Sequence, residues 1–112
     1  MDIDNPLLKG TKERHVAMTG SNIDLSLGNV FTKTLTEATT LTVSNVPASG
    51  IVASFILELT DGGLNSVTWW SGIKWPNGTA PNLSLLGTDC LSFYTYDGGT
   101  NWRGFLMGAS IA

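Results

Sequence analysis

Apolar and polar positions alternate along much of the chain. Across residues 52–60, Phe55, Leu57 and Leu59 fall on one face, and Ser54, Ile56, Glu58 and Thr60 on the other. A period of two is the pattern of a strand with one buried face. It recurs across residues 89–96, where Leu91, Phe93 and Thr95 oppose Cys90, Ser92, Tyr94 and Tyr96. Shorter runs rich in β-branched and aromatic residues at 30–35, 41–44, 66–70 and 100–107 predict further strands, and 82–86 a short one.

Turn chemistry separates these runs. Asn45-Val46-Pro47-Ala48-Ser49-Gly50 reads as a loop, Asp61-Gly62-Gly63 as a tight turn, and 71–81 as a compact irregular loop. Asp97-Gly98-Gly99 between two aromatic runs is the strongest hairpin signal. The expected fold is all-β: an antiparallel β-sandwich or jelly roll of six to eight short strands over residues 21–112.

Residues 1–20 break the pattern. Their apolar positions neither alternate nor form a helical stripe. They predict an extended N-terminal arm, either a frayed terminus or a segment that orders against a partner. Leu7 and Leu8 are its candidate anchors, and Lys9 and Arg14 candidate contacts.

Composition sharpens the picture. Charged residues make up only 13% of 112, and Thr, Gly, Ser and Asn take their place, which fits many strands and turns better than a solvated helix. The net charge is −3, and six scattered Lys/Arg build no basic patch, so no nucleic-acid partner is expected. The acidic, proline-broken start does not read as a signal peptide, and no apolar run approaches the ~20 residues that span a bilayer, so no membrane partner is expected. The expectation is synthesis in a cytoplasm.

Candidate chemistry is sparse. The single histidine, His15, lies in the predicted arm, and the single Cys90 sits mid-strand as a small packing residue. Glu58, Asp61, Asp89 and Asp97 show no spacing that pairs two carboxylates. Residues 97–108 lack the third-position and twelfth-position ligands of a calcium loop. No catalytic residue, metal site or cofactor is expected, and the chain does not read as an enzyme.

Four Trp residues are the most unusual feature. Adjacent Trp69 and Trp70 on a strand point to opposite faces, so one needs a second layer, a lid or another subunit. Trp70, Trp75, Tyr94 and Tyr96 are therefore candidate interface or glycan-contact aromatics. Packing, a subunit interface and a sugar-stacking platform all stay open.

Several segments in order carry a family resemblance. They are residues 22–31, residues 55–63, Val67-Thr68-Trp69, Lys74-Trp75-Pro76-Asn77-Gly78-Thr79-Ala80-Pro81, and residues 93–104 with Asp97-Gly98-Gly99-Thr100-Asn101-Trp102. This order resembles a β domain of virion proteins of tailed bacteriophages, including cyanobacterial ones. That domain occurs at the ends of tail-fibre-like chains and as short stand-alone proteins. The resemblance spans about residues 22–108. It implies a structural or binding module on the virion surface, a homotrimer with no catalytic residues. With a short arm and no upstream shaft, the plan is similar to head decoration (cement) proteins, whose partner is the major capsid protein. The alternative it implies is a tail-fibre or receptor-binding tip that holds host surface glycans.

Overall fold

The two strongest period-two runs form the centre of the molecule. In a computed structural model describing residues 7–112, they are paired antiparallel from Ala53↔Thr95 to Thr60↔Thr88. Phe55, Leu57, Leu59, Leu91 and Phe93 all point to one face and are buried. Ten strands are present: β1 (His15–Ala17), β2 (Asn22–Asp24), β3 (Val30–Thr34), β4 (Thr39–Thr40), β5 (Thr42–Ser44), β6 (Ala53–Thr60), β7 (Val67–Thr68), β8 (Ile73–Lys74), β9 (Thr88–Thr95) and β10 (Trp102–Ile111). The described chain is all-β, apart from one 3₁₀ turn at Pro76–Gly78.

Strand count and pairing differ from expectation. Among the described residues ten strands replace six to eight, and antiparallel pairing is confined to β6–β9–β10. The large sheet runs β1-β3-β6-β9-β10-β8, with β1, β3 and β6 mutually parallel and β8 parallel to β10. Two small parallel sheets, β2–β5 and β4–β7, complete the fold.

Four of the five parallel pairs have one origin; the fifth, β8 with β10, forms separately at the far edge of the large sheet. From β3 the chain passes to the β4–β7 sheet, then to the β2–β5 sheet, then back beside β3 as β6, and on to β7 beside β4. It winds through three sheets in turn, so each revolution stacks parallel on the last. Parallel strands need a long crossover, usually a helix; here other strands do that work. Ile23 on β2, Leu41 between β4 and β5, Phe31 on β3 and Trp102 on β10 meet β6 and β9 in a single core. The large sheet thus faces the small ones across a sandwich-like interior.

The body starts earlier than the sequence suggests. β1 lies within residues 1–20, pairs His15↔Val30 and Ala17↔Thr32, and turns Val16 toward the core. Of those described, only residues 7–14 precede the first strand, and they bend at Gly10 (φ 62°). The expected strand at 82–86 is instead a loop. At Asp61-Gly62-Gly63 the left-handed backbone falls on Asp61 (φ 61°) and not on a glycine. Gly63 is needed for another reason: a Cβ there would lie 2.1 Å from the Leu83 carbonyl oxygen.

Candidate functional site

The tryptophans gather at one place. β7 ends at Thr68, so Trp69 and Trp70 leave the strand before the alternation rule applies. Both turn to the same ring: Phe93 lies 5.8 Å from Trp69 and 4.7 Å from Trp70. Trp75 joins them, 5.2 Å from Trp69 and 5.6 Å from Phe93. Trp102 closes the cluster against Phe55 at 5.5 Å and is fully buried. Edge-to-face pairs of this kind add stability beyond their buried area. Gly104 makes room for them, because a Cβ there would come within 2.8 Å of Trp75 and 2.9 Å of Phe93.

Trp70 and Trp75 are therefore half-buried packing residues, not a platform in solvent. The Trp70 indole Nε1 is buried without a hydrogen-bond partner among the described residues.

Tyr94 and Tyr96 have a different setting. Tyr94 lies on the face of the large sheet that turns away from the core, Tyr96 directly follows the end of β9, and both are exposed. Register brings Arg103 opposite Tyr94 and Phe105 opposite Ser92. Tyr94 and Phe105 stack nearly parallel (10°, centroids 6.3 Å apart), and the Arg103 guanidinium sits 5.2 Å from the Tyr96 ring centre. The result is an aromatic strip with one fixed cation at its end. Beside it, Ser54, Ile56, Ser92 and Tyr94 line a shallow groove of about 270 Å³ that reaches Glu13 and Asn29.

Leu7, Leu8, Lys9 and Arg14 all lie on the 7–14 segment, and all are exposed. Residues 1–6 of the expected arm fall outside the described residues. The segment touches the body where Asn29 Nδ2 donates to Glu13 Oε1 at 3.2 Å.

The titratable groups make structural contacts. Asp89 is buried and accepts from Ser84 N at 2.6 Å, Ser84 Oγ at 2.7 Å and Ser110 N at 3.0 Å. Burial works to raise its pKa, but these donors outweigh it and hold the carboxyl below its ordinary value. Asp97 caps the β9–β10 turn, accepting Asn101 N at 2.9 Å and Asn101 Nδ2 at 3.0 Å; these bonds lower its pKa. Cys90 donates to Glu58 Oε1 at 3.4 Å, and burial together with that carboxylate pushes the thiol's pKa up. A thiol held protonated is a weak nucleophile. His15 Nε2 meets Thr32 Oγ1 at 2.6 Å on the sheet surface. Among the described residues, no group of three His, Cys, Asp or Glu is placed to hold a metal ion, and no helix is long and apolar enough to cross a membrane.

One surface was not foreseen. Gly63 N donates to Ser84 O at 2.8 Å, Asp61 N donates to Gly87 O at 2.8 Å, and the Ser84 and Ser110 hydroxyls meet at 2.8 Å. These bonds hold the 61–64 turn, the 83–87 loop and the tail of β10 side by side. Leu64, Leu85, Leu86, Met107 and Ile111 stand exposed on those three segments. Its signal in the sequence is the lack of any charged residue in 75–88 and 104–112.

Comparison with known protein families, with curated proteins and with solved structures gives no match.

Proposed function

We propose that this protein is a bacteriophage structural protein, a head decoration (cement) protein that binds and stabilises the major capsid protein lattice as a trimer on the virion surface. The observation that carries this reading is the segment at 7–14. Leu7 is 84% and Leu8 70% exposed, next to Lys9, Lys12 and Arg14, on irregular chain that precedes the packed β body. Two large apolar side chains in solvent gain free energy when a partner covers them, and the cations favour an acidic partner. The body supplies shape and rigidity. Asp24, Asp61, Asp89, Asp97 and the Cys90–Glu58 pair are engaged in folding contacts, which suits a binding role better than a reaction. Many copies on a lattice, linked within trimers, turn modest contacts into firm attachment.

The test is binding of purified protein to undecorated phage heads. The full chain is expected to saturate them. A chain of residues 15–112 is expected to remain folded and to bind at least about tenfold more weakly, the loss of roughly 1.4 kcal/mol or more. Equal binding by the two forms would contradict the assignment of the arm.

A second reading has its own observation. The exposed strip of Tyr94, Tyr96 and Phe105, ending at Arg103, has the stacking faces and the polar end that a sugar ring takes. It supports a tail-fibre or receptor-binding tip that binds host surface glycans. Trp75, packed against Phe93 and Trp69, does not contribute to such a strip.

A further inference from the structure

We infer that the uncharged end of the molecule, centred on Leu85, Leu86 and Met107, is the surface through which copies of this chain assemble. The inference rests on the proposed trimer and names the face that makes it. Leu85 is 66% exposed and Leu86 72%, on a loop whose backbone is pinned to the 61–64 turn and to Ser110. Leu64, Leu106, Met107 and Ile111 are exposed on the segments beside it. Six such side chains amount to roughly 600 Å² of apolar surface, close to the about 800 Å² each partner gives to a standard interface.

Charge selects the occupant. Residues 62–73, 75–88 and 104–112 contain no charged residue, on a chain of net charge −3. A nucleic acid or an anionic bilayer needs cations, and this end offers none. A second copy brings the same apolar face; the carboxylates nearest to it, Asp61 and Asp89, are turned into hydrogen bonds with Gly87 N and with Ser84 and Ser110.

The geometry favours a closed assembly over a fibre. β8 covers β10 only at Trp102 and Arg103, so among the described residues the rest of that β10 edge is unpaired. The β9–β10 register shifts between Leu106 and Gly108 and again between Gly108 and Ile111. Such bulges bend an edge strand and blunt its use as a template for open-ended pairing. Side chains are left to make the contact, and a rotational arrangement satisfies all of them.

Light scattering coupled to gel filtration tests this on the full chain over a range of concentrations. The wild type is expected at three times the 11.9 kDa monomer. Leu86→Glu and Met107→Glu are each expected to shift it to monomer, weakening assembly about a hundredfold or more. Leu27→Glu, an exposed leucine in the β2–β3 turn, is expected to leave assembly unchanged. Circular dichroism and Trp fluorescence check the fold, and Leu86→Ser and Met107→Ser replace any glutamate variant that misfolds. A wild type that stays monomeric at high concentration would overturn the inference, as would trimers in both patch variants. Monomers throughout, with head binding lost only in the patch variants, would overturn it too and give the face to the capsid. Patch-dependent trimers that fail to bind heads would uphold it and sink the decoration reading instead.

Discussion

Asp89 ties the 83–87 loop to the tail of β10, and its chemistry makes that tie sensitive to acid. Its carboxylate serves three donors in a buried place, with Ser84 N on one oxygen and Ser110 N on the other, so protonation leaves one backbone N–H facing a poor acceptor. Its folded pKa lies below the ordinary value near 3.9. Above about pH 5 both folded and unfolded forms are ionised, and the full stabilisation is present; it is lost as pH falls through 4 toward the folded pKa. Asp24 is held low by Ser26 and Asn45, and Asp97 by Asn101, so both add in the same direction. Asp89→Asn is expected to cost about 1–3 kcal/mol at pH 7. In urea unfolding, the gap between wild type and variant should narrow from pH 7 to pH 3. A constant gap would mean that the charge of Asp89 does not matter.

At this scale the sequence is only partly legible. The alternation put Tyr94 and Tyr96 on one side and Leu91 and Phe93 on the other; the tyrosines are exposed and the other two buried. It misjudged Trp69 and Trp70, since an alternation rule says nothing once the strand has ended at Thr68. The role of Asp89 was hidden as well, because its partners Ser84 and Ser110 sit in a loop and a strand end with no local signature.

Elements show the same division by length. β6 and β9, eight residues each, carry enough alternation to be read directly. β4, β7 and β8 have two residues each, below any detectable period. β1 was lost in the arm because three residues of pattern are set among polar neighbours; what defines it is its parallel pairing with β3, a partner 15 residues ahead. This makes β1 the element to test. A chain of residues 15–112 should melt close to the full protein. A chain of residues 21–112 loses the β1 hydrogen bonds and the packing of Val16 against the core. That should cost about 2 kcal/mol, or roughly 8–16 °C in Tm for a domain of this size. Equal melting of the two truncated chains would show that β1 contributes nothing to the body.

For the whole molecule, the all-β class follows from composition and alternation, but the winding does not. Antiparallel pairs leave turn signals such as Asp97-Gly98-Gly99 in the sequence. Parallel pairs join strands 15 to 29 residues apart, from His15↔Val30 to Ile73↔Trp102, and leave no local mark. The winding has a functional consequence. It places the 7–14 segment beside β1 at one edge of the large sheet, and the free part of β10 toward the other, beyond β9. Arm and apolar face thus belong to different parts of the body, an arrangement that the proposed decoration role and the proposed self-assembly would use separately.

The most direct test of the proposed decoration role is a cryo-electron microscopy map of phage heads incubated with the purified full chain. Hundreds of copies on the head, grouped in threes around local threefold positions with residues 7–14 against the capsid protein, are the predicted result. Heads without bound copies would contradict the decoration reading and leave the Tyr94–Tyr96 strip as the surface that meets the host.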